Sequence, residues 1–527
     1  MTAVRQAAKA SPWILSPLWD TFLFIGAPLT AIAALYPLRV YWQPEAYAFL
    51  LLAFFTFGHH LPGFLRAYGD RELFRRFRWR FLLAPPLAFG LTLWFDSRAL
   101  HGFFLLVFAW DIWHVLMQHY GFMRIYDAKQ GVIGPRTARL DWALSITWYI
   151  LLIVASPHYR HNMLQQAYTS GIPLLSASVV ETIEVGLWIA AGGLTVAYAV
   201  HHYKLWQEGK LNWRKLATLG TFLFASYYLY VVVADFIVGF AVWSAFHCIQ
   251  YYGIVWVFNR NRLRQGDVLV SGLRRLFEPR ALMILLYVAL IAAYGGINFT
   301  QRMVSDENLR RLLLAFIATS NILHYYYDGF IWKVRDKETR KFLEIEAGGE
   351  SAGQRVRRLL DWLKPTWDRP VTQAAYLFAV LAILAGLEIR RPNDEVAMRR
   401  VLAASAPQAS EAQLRLAETL RQSGQHTEAV DAYRRAVMLD PMNALAHVNL
   451  GVSAMASGQV DEAIAAYERA LMLNPGIAAA HFNLASLLAA RGDTARAQTH
   501  FRYAAAGNDP DAKRLAEDAL REIAALR

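Results

Sequence analysis

Cysteine is nearly absent. Cys248 is the only one in 527 residues, which excludes an intrachain disulfide and a cysteine-rich metal site. Charge is scarce as well: Asp, Glu, Lys and Arg make up 18% of the chain and hydrophobic residues 56%, whereas a soluble domain carries about 25% charged residues. Acidic residues are the scarcer sign, 41 against 54 basic, for a net charge of +13. In a soluble protein that excess points to nucleic acid. Here the basic residues sit between apolar runs, so they are read as membrane topology and no nucleic-acid partner is expected. No small-residue cleavage site follows Arg5 and Lys9, so the first apolar segment is expected to be retained.

What the chain has in abundance is apolar runs of about 17 to 25 residues, long enough to cross a bilayer as helices. They fall near residues 20–38, 45–64, 80–96, 102–123, 140–156, 179–200, 215–234, 236–258, 280–297, 311–332 and 372–389. The expected fold is all-α, a polytopic membrane helix bundle of about eleven spans followed by a soluble helical region. Pro85 and Pro86 are expected to kink or delay the third span, and the seventh and eighth meet at Asp235 with almost no loop. The chain divides into a multi-pass domain (1–335), a basic amphipathic connector (336–371), a last transmembrane helix (372–390) and a C-terminal domain (391–527). The connector contains RVRRLLDWLKPTW, a pattern suited to lying on anionic headgroups.

Orientation follows from Lys and Arg in short loops. With the N-terminus inside, loops 65–80, 124–139, 203–215, 259–280 and 333–371 are inner and hold 30 basic residues. The outer loops hold only Arg39, Arg98, Arg160, Arg302, Arg310 and Arg311. The expected location is therefore a multi-pass inner or plasma membrane, with a cytoplasmic N-terminus. The C-terminal domain then lies outside, in the periplasm of a Gram-negative cell.

Ionisable groups inside a span are costly and usually functional. Residues 109–127, AWDIWHVLMQHYGFMRIYD, carry Asp111, His114, Gln118 and His119 on one apolar helix. FGHHLPGFLRAYGD repeats the order of His, then Gly-Phe-x-Arg-x-Tyr, with His59 and His60. FHCIQYYGIVWVFNR brings His247, and LHYYYDGFIWKVR brings His324 and Asp328. A fifth helix ends in His201 and His202. All lie on even-numbered spans near the inner end, so five helices are expected to deliver imidazoles to one layer.

Neutral imidazole is the commonest metal ligand, and several together suit iron, zinc or copper. The expected ligands are His59, His60, His114, His119, His247 and His324, with Asp111 and Asp328 as catalytic or tuning carboxylates. Helix geometry limits the set: His114 and His119 point about 140° apart, and His59 and His60 about 100° apart. His201 and His202 are alternatively interfacial, and the tyrosines at 120, 251, 252 and 325–327 are available as hydrogen-bond partners. Arg66, Arg124, Tyr120 and Tyr252 are candidate substrate-binding residues, the arginines for a phosphate or carboxylate headgroup.

Two family resemblances follow. After Arg391 a 34-residue period appears: Leu416, Leu450 and Leu484; Gly424, Gly458 and Gly492; Ala429, Ala463 and Ala497; Tyr433, Tyr467 and Phe501. With Pro441 and Pro475 closing two repeats, residues 410–508 resemble the tetratricopeptide repeat (TPR), with 510–527 as a capping helix. That resemblance implies an α-solenoid whose concave face binds a protein or peptide, or which supports a homo-oligomer. The histidines resemble those of the membrane di-iron desaturases and fatty-acid hydroxylases, His114-x-x-x-x-His119 being similar to their first box. No H-x-x-H-H box occurs, and the histidines spread over five spans.

The resulting expectation is a metal-dependent oxidoreductase acting on a lipid or isoprenoid, an oxygenase, hydroxylase or desaturase with di-iron or mononuclear iron. Membrane lipids are its expected partners. A second reading is a non-enzymatic haem-, quinone- or lipid-binding scaffold that recruits a protein through its repeats. Axial haem ligation needs only one His from each of two helices. A third is a lipid-linked glycosyltransferase using outer-loop carboxylates, here Glu45, Asp96, Asp235, Asp306 and Glu307.

Overall fold

Every regular element among the described residues is helical, as the absence of alternating patterns requires. The computed structural model describes residues 11–132, 134–233, 235–265, 271–278, 280–332, 337–343, 370–391 and 394–525. The amphipathic stretch 355–367 lies outside the described residues. The helices are α1 (Pro17–Ile25), α2 (Ala27–Val40), α3 (Pro44–Gly69), α4 (Arg71–Ser97), α5 (Gly102–Lys129), α6 (Pro135–Ala155) and α7 (Pro157–Thr169). There follow α8 (Ala177–Gln207), α9 (Trp213–Val232), α10 (Phe236–Arg264), α11 (Ala281–Thr300), α12 (Glu307–Ile331) and α13 (Pro370–Ile389).

A helix stands at each of the eleven expected positions, but they are not equally apolar. Six of the described helices, α3, α6, α8, α9, α10 and α11, are long and apolar enough to cross a membrane. A seventh candidate is α1 with α2, bent by 70° at Gly26, where one straight span over 20–38 was expected. Helices α4, α5 and α12 fall outside this group, as does α13, whose described apolar stretch is the shorter Ala375–Ile389.

Two local features differ from the sequence expectation. Helix α4 breaks at Phe77 (φ −118°, ψ 21°), not at Pro85 and Pro86, which continue inside the helix. Pro85 has no N–H for the carbonyl of Phe81, and the Tyr68 hydroxyl donates to that carbonyl instead, at 3.0 Å. Helix α3 widens into a π turn over Leu52–Phe57, immediately before His59. Such turns cluster at functional sites. The widened backbone meets α11 closely: a Cβ on Gly58 would lie 2.9 Å from the Ile291 carbonyl, and one on Gly295 2.8 Å from that of Ala53.

Two compact units emerge. The first contains Met1–Ser156, Thr169–Ile172 and Ile183–Arg391; the second contains Pro157–Tyr168, Pro173–Thr182 and Pro392–Arg527. In the first unit α10 is central, with 67% of its apolar window buried against 11% for α8 and 17% for α11. The lipid-like exteriors of α8 and α11 follow from that difference.

The second unit holds α14 (Glu395–Ser405), then pairs α15 (Ser410–Gln422) with α16 (His426–Leu439), and α17 (Ala444–Ala456) with α18 (Val460–Leu473). The third pair is α19 (Ala478–Ala490) with α20 (Thr494–Ala506), and α21 (Pro510–Ala525) closes the stack. Gly424, Gly458 and Gly492 adopt φ of +76°, +78° and +85° in the turn inside each pair, the left-handed region that favours glycine. Ala429, Ala463 and Ala497 are fully buried, which lets paired helices approach closely. Arg400, Arg434 and Glu468 stand 34 apart and pair with Glu428, Glu462 and Arg496. The pair is reversed in the last step, so its charge balance is kept. Arg400 lies on α14, which makes that helix part of the repeat pattern ahead of residue 410.

Candidate metal centre

Four helices of the first unit each bring one imidazole to a single point. His59, His114, His247 and His324 offer ring nitrogens that all lie within 4.8 Å of one another. Because α3, α5, α10 and α12 each supply one residue, the 3.6-residue period puts no two ligands in competition for one face.

His59 follows the π turn, and its Nδ1 bonds the Thr56 carbonyl. With the proton on Nδ1, the Nε2 lone pair is left for the cluster, where it lies 2.9 Å from His324 Nε2. His324 stacks against His60 and meets His114 edge-on, with ring centroids 4.7 Å apart in both pairs. His247 sits one turn from Trp243 and one turn from Tyr251 on α10. Gln118 donates to the His247 carbonyl at 3.0 Å, tying α5 to α10 beside the site.

Asp328 closes one side. Its Oδ2 lies 3.7 Å from Nε2 of both His114 and His324, and its Oδ1 accepts from the Tyr251 hydroxyl at 3.0 Å. Trp332 Nε1 in turn donates to that hydroxyl at 3.2 Å. Gly63 makes room for this arrangement, since a Cβ there would stand 2.6 Å from the Tyr251 hydroxyl. Asp111 stands further off and accepts from the Tyr325 hydroxyl at 2.9 Å.

The donor set fits a metal ion. His114 Nε2, both nitrogens of His247 and Nδ1 of His324 are buried without a hydrogen-bond partner. Each such group costs about 1–3 kcal/mol, and a shared cation removes that cost at one nitrogen of each ring. Metal–nitrogen bonds of about 2.1 Å put opposed ligands about 4.2 Å apart, so nitrogens within 4.8 Å converge on one ion with small adjustments.

The other sequence candidates fall elsewhere. His60 is adjacent but bonds Ser320 Oγ through Nδ1 at 2.9 Å. His119 is not brought to the cluster. Five residues along α5 it points away and stacks on Phe222 at 4.0 Å. His201 bonds Thr137, and His202 stacks on Tyr198 at 3.9 Å. Four helices therefore supply the cluster, and α8, with His201 and His202, does not. Arg66 is buried between the rings of Phe258 and Trp332, 3.9 Å from each centroid, rather than free at a headgroup. Arg124 is held by Asp127 and Asp141, at 2.8 Å each, which Lys215 also joins. Tyr120 donates to the Ala138 carbonyl and Tyr252 to that of Phe55. Tyr251, one residue from Tyr252 and 100° round the helix, is the tyrosine at the site. Its position four residues after His247 was the available signal. Of the outer-loop carboxylates, Asp235 and Asp306 cap α10 and α12, and Glu307 pairs with Arg310.

A cavity of about 240 Å³ reaches the cluster at His114 and Asp328. Its walls are aromatic and apolar, with Trp110, Trp113, Met117 and Phe122 from α5, Ile254 from α10 and Trp332 beyond α12.

The repeat-family profiles that match this chain fall within the second unit. Two repeat-family profiles match, "TPR repeat" over residues 417–455 and "Tetratricopeptide repeat" over 448–521. No curated protein matches the chain. Among solved structures, "Crystal structure of MamA" is 22% identical, covering 30% of this chain and 94% of that one, with a TM-score of 0.21. "Crystal structure of MamA protein" is 23% identical, covering 29% and 84%, with the same TM-score. The C-terminal region is a tetratricopeptide-repeat domain, a protein-interaction module joined to a set of apolar helices that hold a histidine cluster.

Proposed function

We propose that the first unit is a membrane-embedded, metal-dependent oxidoreductase with one transition-metal ion, iron in the first instance, acting on a lipid or isoprenoid. The observation that carries this reading is the convergence of four imidazoles within 4.8 Å. A di-iron centre needs two ions about 3.5–4 Å apart, which four such close nitrogens and one nearby carboxylate suit less well than a single ion. Haem is disfavoured on the same distances. Its two axial ligands need the plane between them free for the macrocycle, and two further imidazoles fill that space.

When bound, a redox ion there supplies one-electron chemistry with dioxygen. The protein's own part is to hold and orient. His59 presents Nε2 because its Nδ1 is engaged by Thr56. Asp328, fixed by Tyr251, offers a carboxylate beside the centre, 3.7 Å from Nε2 of both His114 and His324. His114, with 11% of its side chain exposed, is the ligand that borders the cavity, so substrate approaches there.

The second reading, a non-enzymatic scaffold, rests on the same four nitrogens, because four protein ligands are enough to close a structural site. Purified full-length protein separates the two readings by elemental analysis, an absorption spectrum and oxygen uptake with membrane lipid extract. The expected result is about one iron per chain, no haem band and lipid-dependent uptake, with metal and uptake both lost in His247→Ala. Metal-free protein from a chelator-free preparation overturns the metal assignment. Bound metal without uptake leaves the scaffold.

An extracytoplasmic TPR domain is supported by the second unit itself. Residues 157–168, in α7, and 173–182, which run into the start of α8, belong to the same compact unit as residues 392–527. One unit occupies one side of a bilayer, so an even number of crossings separates the two stretches. The basic-residue asymmetry then assigns that side to the exterior.

A further inference from the structure

The cavity is elongated along one helix. From α5 it takes Trp110, Trp113, His114, Met117, Gln118, Gly121, Phe122 and Ile125, the spacing of one helical face, over about 22 Å of rise. The opposite wall comes from Tyr251 and Ile254 of α10 and from Tyr325, Asp328 and Gly329 of α12. It opens sideways, since Trp113 is 45% exposed and Gly329 is also exposed. A lateral opening among membrane helices faces hydrocarbon, which offers no partner for hydrogen bonds.

Two glycines line the groove for no packing reason. A Cβ on Gly121 or Gly329 would meet nothing within 4 Å. Neither has positive φ. Glycine in a helix interior costs about 1 kcal/mol relative to alanine. What sets these two apart from other helical glycines with open Cβ positions, such as Gly90 and Gly220, is that both line the groove, where a side chain would narrow it.

We infer that this groove seats a single hydrocarbon chain of a membrane amphiphile, entering from the bilayer between α5 and α12, and that Gly121 and Gly329 keep its path open. The inference rests on the proposed function for the membrane setting and for the identity of the chemistry. His114 lies four residues from the Trp110 end and eleven from Ile125, about 6 and 16 Å of rise. A chain whose headgroup sits at the Ile125 end, near the basic inner interface, therefore passes Gly121 before reaching the metal ligands. It presents a carbon deep in the tail to the centre, not one next to the headgroup. Gln118 and Asp328 are the polar groups beside it there.

The test uses full-length protein in nanodiscs containing phosphatidylethanolamine with a mid-chain diazirine. Photolysis is expected to label peptides bearing Trp113, Met117 or Gly329. Gly121→Leu is expected to cut that labelling by about tenfold, because its side chain fills the space beside Phe122, while metal content stays unchanged. Gly329→Leu provides the same reading should Gly121→Leu fold poorly. Labelling that is undiminished in the folded variant, or confined to exterior faces such as α8, overturns the inference. Groove labelling in wild-type protein that carries no metal keeps the chain site and overturns the metal assignment, so the two failures are distinguishable.

Discussion

Gly63 is the residue on which the site's polar side depends most directly. Any β-carbon there would stand 2.6 Å from the Tyr251 hydroxyl, with Asp328 Oδ1 at 3.6 Å and His324 Nδ1 at 3.7 Å behind it. Gly63→Ala is expected to push Tyr251 off Asp328 and destabilise the first unit by about 1–3 kcal/mol, read as a lower thermal midpoint in detergent. Gly90→Ala is the control, because nothing lies within 4 Å of its added carbon and alanine favours a helix. The residue scale is also where sequence reading had least resolution. The residue types were legible, in that His59, His114, His247 and His324 were all singled out. Which tyrosine and which arginine face the site was not, because neighbours such as Tyr251 and Tyr252 differ only by 100° of helix rotation.

At the scale of elements, the helices that bear the site are held at their ends by polar contacts from distant parts of the chain. Glu388 of α13 accepts from the backbone N–H of His101, at 2.7 Å, and of Gly102, at 2.9 Å. His101 Nδ1 adds a third contact, at 2.8 Å. This carboxylate satisfies donors at the N-terminus of α5, where a negative charge also complements the helix dipole. Glu388→Ala is expected to cost about 2 kcal/mol and to raise hydrogen exchange across the first turn of α5, leaving the imidazole cluster, three turns on, undisturbed. The cap joins His101 to a residue 287 positions away, and no local pattern announces it. The π turn before His59 is equally silent in sequence, since LAFFTF reads as an ordinary apolar helix and only the approach of α11 at Gly58 and Gly295 accounts for its widening.

At the scale of the whole molecule, the second unit is assembled from three stretches of chain, and α7 is one of them. His161 of α7 is fully buried. Burial, with Arg399, His158 and Arg415 adding to it, lowers its pKa from the ordinary 6.5 to about 4. The unfolded chain then binds more protons between those values. The stability this group contributes is present above pH 6.5 and is lost as the pH falls toward 4, by up to about 3 kcal/mol. Hydrogen exchange in peptides of α14 and α15 in the full chain is expected to accelerate across that window, and His161→Phe to flatten the response.

What the sequence determined by itself is whatever repeats. Apolar length placed a helix at each of the eleven expected positions, and the 34-residue period predicted the TPR pairs, because each depends on residues close in sequence. Tertiary structure alone decided which imidazoles converge, that α7 joins the repeat unit, and that Pro85 is absorbed while Phe77 breaks α4. Those outcomes depend on helix rotation and on partners hundreds of residues away. A rotation of one residue moves a side chain through 100°, and only packing fixes that angle.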